Sequence, residues 1–143
     1  VLRKAPKRGL QKWSKVNRSG WHRWMRVLRF FFDVEQIGVA YKKDIDDCRE
    51  SPALDIIELL DQAGSKVSYY DPYVSELNYN RIQLNCLEKL SAESIKNFDA
   101  SVVITDHSDI DYELIARSSE LIVDTRNVFK NINNENILRI GQG

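Results

Sequence analysis

The sequence predicts an α/β domain over about residues 34–143, a Rossmann-like parallel sheet with helices on both faces, preceded by a basic, poorly ordered arm over residues 1–33. Three observations predict it. Short β-branched or apolar runs alternate with helix-spaced segments after Asp33, the pattern that right-handed crossovers turn into a parallel sheet. The charge changes abruptly: residues 1–32 hold ten Lys or Arg and no Asp or Glu, while residues 33–143 hold eleven Lys or Arg against twenty-one Asp or Glu. A composition of 43% hydrophobic and 29% charged residues is too apolar for a wholly disordered chain.

The elements follow in order. Ile37-Gly38-Val39-Ala40 is the expected first strand, shortened by the polar Asp33-Val34-Glu35-Gln36 before it or patched by Phe30 to Phe32. Ser51-Pro52 opens a helix, with Ser as N-cap and Pro at the first helical position, where an N–H would be unpaired anyway. Leu54, Ile57, Leu60 and Ala63 recur at helical spacing, and Gly64 is the expected stop. Lys66 to Tyr70 reads as a strand, closed by the turn Asp71-Pro72-Tyr73. Residues 74–90 give little beyond the alternation Ile82-Gln83-Leu84-Asn85-Cys86. Ser91 caps a short helix to Asn97, and Ser101 to Thr105 is a strand buried on both faces. Asp109 is the expected cap of a helix through Ser118; Glu120 to Asp124 and Ile137 to Ile140 are the last strands.

The arm holds all three tryptophans, Trp13, Trp21 and Trp24, among its cations. Such a segment has two functional readings: nucleic-acid binding by phosphate contacts and base stacking, and an amphipathic segment on an anionic membrane. Both are secondary here, because no recognised binding module surrounds the arm and nucleic acid and membrane are not the expected partners. Apolar runs such as Phe30-Phe31-Phe32 fall far short of the roughly 20 residues that span a bilayer. Two cysteines make no disulfide framework, which points to a reducing, cytoplasmic setting. Val1 in place of Met is expected of a piece of something longer.

Parallel sheets bind ligands beyond the carboxyl ends of their strands, so the residues just after each strand matter most. These are Tyr41, Lys42, Lys43, Asp44, Asp47 and Arg49 after the first, Asp71 after the second, Thr105-Asp106-His107 after the third, and Asp124-Thr125-Arg126-Asn127 after the fourth. Lys42, Lys43 and Arg126 bring positive charge to one edge from two loops, beside the N-terminus of the helix at Ser51. That arrangement suits a diphosphate, and Tyr41 can stack on a flat base. The competing reading is that Lys42, Arg49 and Arg126 pair with Asp44, Asp47 and Asp124. Gly38 stands alone, with neither of the common phosphate-binding glycine motifs around it, so direct binding of a dinucleotide is not expected. No metal site is expected, since His22, Cys48, Cys86 and His107 lack ligand-like spacing. Cys48 lies among Asp46, Asp47 and Glu50, where negative charge opposes a thiolate. His107 is expected to hydrogen-bond its neighbouring loop, and Asp71 to form the turn.

The stretch I-G-V-A-Y-K-K-D-I-D-D-C-R-E-S-P-A-L from Ile37, with Y-Y-D-P-Y at 69–73, V-V-I-T-D-H at 102–107 and I-V-D-T-R-N at 122–127, resembles the C-terminal domain of the UDP-glucose/GDP-mannose dehydrogenase family over about residues 37–130. The resemblance implies an enzyme that oxidises the C6 alcohol of a nucleotide-linked sugar to a carboxylate with NAD, this domain closing over the nucleotide end of the substrate. It implies that Tyr41 and Lys42 contact the UDP-sugar and that Arg126 reaches into the cleft. Asp44, Asp47, Arg49 and Asp124 would shape the loops, with Ser51 capping the helix. The T-D-H around Asp106 is similar to members acting on N-acetylated UDP-hexosamines in surface polysaccharide synthesis. The family's glycine-rich cysteine motif, central lysine and asparagine, and NAD-binding glycine loop have no counterpart in this sequence. The expectation is therefore a substrate-binding domain with no catalytic residue of its own, inactive alone, binding no NAD itself, with a separate chain as one source of the NAD-binding and central domains.

Overall fold

A computed structural model of the chain describes residues 33–140. The expected arm over residues 1–33 falls almost entirely outside the described residues, and so do the readings placed on it.

Five parallel strands form the sheet: β1 (Asp33–Ile37), β2 (Lys66–Tyr70), β5 (Ala100–Val103), β6 (Ile122–Asp124) and β7 (Ile137–Arg139), in the order β2-β1-β5-β6-β7. Between β2 and β5 lies an antiparallel hairpin, β3 (Glu76–Tyr79) and β4 (Ile82–Asn85). Tyr69 bridges Cys86, and Leu87 N donates to Tyr69 O, so the hairpin's exit strand covers the outer edge of β2. The helices are α1 (Pro52–Gln62), α2 (Ala92–Ile95) and α3 (Tyr112–Ser118).

Strand periodicity separates two cores, because successive side chains point to opposite faces. On one face Val34, Val67, Tyr69, Val102 and Val123 pack with Leu54, Ile57 and Leu60 of α1 and with Leu77 of the hairpin. On the other, Ile37, Val103, Ile122 and Ile137 pack with Ile95 of α2, Ile115 of α3 and Phe129. Helices therefore cover both faces, as the alternation of elements predicts.

The strands expected at Ser101–Thr105, Glu120–Asp124 and Ile137–Ile140 are Ala100–Val103, Ile122–Asp124 and Ile137–Arg139, and two differences from expectation have a clear physical reason. The first strand is Asp33–Ile37, not Ile37–Ala40. Its polar residues are not excluded: Glu35 and Gln36 are both fully buried, one toward each face. Pairing with β2 on one side and β5 on the other satisfies the backbone, and that outweighs the side-chain cost. Glu35 Oε2 accepts from Ser101 Oγ at 3.2 Å, and Gln36 Nε2 donates to Ala53 O at 3.3 Å. The remaining oxygens, Glu35 Oε1 and Gln36 Oε1, accept from none of the described residues. Burial pushes the Glu35 carboxyl up to about 7, the Ser101 bond opposing it. The second difference is the cap of α3, which is Asp111 rather than Asp109: its side chain accepts from Leu114 N at 2.9 Å. Asp109 instead accepts from the Tyr73 hydroxyl at 2.6 Å.

Gly38 ends β1 at φ +80, and a Cβ there would lie 2.4 Å from Thr105 O and 2.6 Å from Thr105 Cβ. The β1 and β5 ends meet so closely that only glycine fits between them.

Candidate nucleotide-binding edge

All five strands run the same way, so the loops after β1, β2, β5 and β6 leave one edge of the sheet. β1 connects outward to β2 through α1 on one face, and β5 connects outward to β6 through α3 on the other. The chain thus diverges between β1 and β5, the crevice where open α/β sheets take their ligands.

Around that crevice the acids are mostly committed. Asp71 is fully buried and accepts five donors: Val39 N, Ala40 N and His107 Nε2 at Oδ2 (2.8, 3.2 and 2.9 Å), Tyr73 N and Val74 N at Oδ1 (2.9 and 3.2 Å). It joins the end of β1, its own turn and the end of β5. Asp124, also buried, accepts from Arg126 N, Val128 N and Phe129 N and so shapes the loop that carries Arg126. Asp44 accepts from Ser108 N and Ser108 Oγ, both at 2.7 Å, and those bonds hold its carboxyl below the usual carboxylate range. Ala40 O receives both Thr105 Oγ1 (2.6 Å) and Ser51 Oγ (3.3 Å), locking the loop base to β5 and to α1.

The cations divide. Arg49 forks onto Asp47 through Nε and Nη2, at 3.0 and 2.7 Å to the nearer oxygens, which lowers that carboxyl to about 2; this pair follows the competing reading. Arg126 does not pair with Asp124: its Nε lies 3.1 Å from Asp106 Oδ1 at the end of β5. Lys42 and Lys43 are exposed, and none of the ion pairs among the described residues involves them. The Lys42 ammonium sits 5.7 Å from the centre of the half-exposed Tyr41 ring.

The N-terminus of α1 does not offer the free donors expected of it. Pro52 has no N–H, Ala53 N donates to Ser51 Oγ at 3.2 Å, and Leu54 N donates to Ser51 O. An anion at this edge would therefore meet side chains rather than free helix N–H groups. Ser51 does cap the helix, and its buried hydroxyl also anchors the loop.

The sequence predicts a turn former at Asp71 and a hydrogen bond from His107 to a neighbouring loop. Both descriptions hold, yet the two are bonded to each other, which makes them the joint of three loops. A carboxylate in the turn after an edge strand, with a histidine after the strand two places away, was the available signal; 36 residues of separation hid it. The Cys48 thiol is pushed up to about 11, by burial first and then by Asp71, Asp47 and Asp46, so it is a poor nucleophile. Among the described residues no group of three or more His, Cys, Asp or Glu is placed to hold a metal, and no helix is long and apolar enough to cross a membrane.

Residues 36–131 match the family model described as "UDP-glucose/GDP-mannose dehydrogenase family, UDP binding domain". The chain belongs to this family. Within it, the chain is 47% identical over 72 residues to a UDP-N-acetyl-D-mannosamine dehydrogenase of Methanococcus aeolicus, covering 50% of this chain and 15% of that protein. It is 31% identical over 127 residues to a UDP-glucose 6-dehydrogenase of Haloferax volcanii, covering 83% of this chain and 30% of the relative. Among solved structures it resembles the UDP-N-acetyl-mannosamine dehydrogenase of S. aureus, with TM-score 0.55 and 32% identity over 76% of this chain and 25% of the other. The chain therefore spans less than a third of the length of each of these family members.

Proposed function

We propose that this chain is the substrate-binding portion of an NAD-dependent nucleotide-sugar 6-dehydrogenase and that it holds the UDP end of a UDP-sugar. One observation carries the reading. The loops after β1 and β6 leave the same sheet edge, and the carboxylates nearest to them are engaged by N–H and O–H donors. Among the described residues neither Lys42 nor Lys43 forms an ion pair, and the half-exposed Arg126–Asp106 pair is of the kind worth only about 0–1 kcal/mol, so a phosphate can displace it. Lys42 and Arg126 would bind the diphosphate, Arg126 presenting its fork of donors, and Tyr41 would lie along the uracil. Asp44, Asp47, Arg49, Ser51 and Asp124 would keep their loops in shape.

NAD supplies hydride acceptance in such an enzyme, and the described residues of this chain do not fit it. The end of β1 carries a single glycine, closed off by Thr105, and the acid at the end of β2 that a dinucleotide ribose would need is the buried, five-bonded Asp71. The chain would thus need the NAD-binding and central parts of the family enzyme, on this or a separate polypeptide, and would be inactive without them. Relatives named as UDP-N-acetyl-D-mannosamine dehydrogenases support an N-acetylated UDP-hexosamine as substrate; a role in surface polysaccharide precursor synthesis is part of the same proposal.

Titration calorimetry with UDP tests the reading. We expect saturable binding, weakened at least about tenfold by either Lys42→Ala or Arg126→Ala, as the loss of one charged hydrogen bond implies. No heat at millimolar UDP, or binding indifferent to both substitutions, would overturn it.

A further inference from the structure

We propose that His107 is a positioning residue, holding the Tyr41–Asp44 segment in its nucleotide-facing conformation through a neutral ring that carries its proton on Nε2. The inference deepens the UDP-binding reading above and rests on it. His107 is fully buried, and Asp44 N donates to its Nδ1 at 2.9 Å. A backbone N–H can only donate, so Nδ1 must be the bare nitrogen. Nε2 then carries the hydrogen and donates to Asp71 Oδ2 at 2.9 Å. Asp71 in turn is fixed by four backbone N–H groups, so the ring has no freedom to turn over. The Tyr73 ring closes the pocket, its centre 5.0 Å from that of His107.

What the ring holds is a strained residue. Asp44 has φ +60, a left-handed conformation uncommon for a residue with a Cβ, though Asp enters it more readily than most, and bonds from its surroundings must hold it there. Three bonds do so here, the one to His107 and the two from Ser108. At the other end of the segment Tyr41 N donates to Asp47 O at 2.7 Å. Lys42 and Lys43 are thus the two residues between anchored points, and one of those anchors is the imidazole. Without the Nδ1 acceptor, the Asp44 N–H would be left facing a buried ring, and the left-handed turn would lose the bond that aims both lysines.

Two amide substitutions in the full chain, each replacing one ring nitrogen, separate this role from simple packing. In His107→Asn the side-chain oxygen can occupy the place of Nδ1 and still accept from Asp44. In His107→Gln the amide reaches the Nε2 position beside Asp71 and leaves Asp44 N–H unpaired. We expect UDP affinity within about threefold of the parent for His107→Asn and at least about tenfold weaker for His107→Gln, one hydrogen bond's difference. Nitrogen-15 NMR of the parent should show His107 protonated at Nε2 only. The Asp44 amide should exchange slowly in the parent and in His107→Asn, and quickly in His107→Gln. Equal affinity losses tracking the thermal stability of the two variants would overturn the proposal, as would a proton on Nδ1. If the parent binds no UDP, the functional reading fails, and the tautomer and the Asp44 exchange rates still decide whether His107 sets the loop.

Discussion

Glu35 should make this domain less stable as the solution turns alkaline, contrary to the usual behaviour of a carboxylate. Its side chain is fully buried in the second-position strand of the sheet and, among the described residues, is bonded only to Ser101 Oγ, with Oε1 unsatisfied. Burial penalises the charged form, raising the carboxyl from 4.5 to about 7. The sign follows from proton binding. Between those values the folded state keeps the proton that the unfolded state gives up, so stability is full below about pH 4.5 and falls as pH rises toward 7. Above pH 7 the deficit is about 3 kcal/mol, at about 1.4 kcal/mol for each factor of ten in acidity. Glu35→Gln keeps the shape and cannot ionise. Urea unfolding of both proteins followed by circular dichroism between pH 4.5 and 8 measures the difference. The Gln variant should gain about 3 kcal/mol on the parent across that range, whatever fixed offset its amide introduces. Parallel stability curves would show that the Glu35 carboxyl is not the desolvated group described, and the account of β1 would fail.

Other consequences can be measured as simply. Gly38→Ala should lose about 2–5 kcal/mol in urea or thermal unfolding, combining a left-handed backbone cost with overlap on Thr105. Asp71→Asn should lose about 2–3 kcal/mol or more and loosen the amides of Val39, Ala40, Tyr73 and Val74 in hydrogen exchange, because an amide cannot accept five donors. Cys48, held at about 11 against an ordinary 9.0, should be alkylated about a hundredfold more slowly at pH 8 in the folded chain than in urea, read by peptide mass spectrometry.

The parts of the fold that were legible in the sequence are those with local signals. Ser51-Pro52 and a helical stripe mark α1, and Lys66 to Tyr70 are the residues of β2 as expected. β1 departs from the expected Ile37–Ala40 because its neighbours, not its own composition, make it a strand: it lies between β2 and β5, and two polar side chains enter the core with it. β3 leaves no signal in the sequence because only Leu77 of its four residues is buried, too little for an alternation to show. The site divides in the same way. Cations just after strands can be read from position alone, since strand ends define the edge. The Asp71–His107–Asp44 chain cannot, because its bonds join residues 36 and 63 apart. The closure of the α1 N-terminus by Ser51 was written in the sequence, since a good N-cap followed by proline leaves few donors over.

The strand order also dictates a sequence of assembly. β1 lies inside the sheet, and its β5-side partner begins at Ala100, paired with Val34. A ribosome therefore releases the inner strand early and must add some 66 further residues before that flank can be filled. Until then Val34 and Ile37 have β2 alone beside them, with one row of backbone groups unpaired. Loops of this length close slowly compared with hairpins, and open strand edges invite the wrong neighbours. The nascent chain is most vulnerable to aggregation during that interval, and holding chaperones would act to greatest effect there.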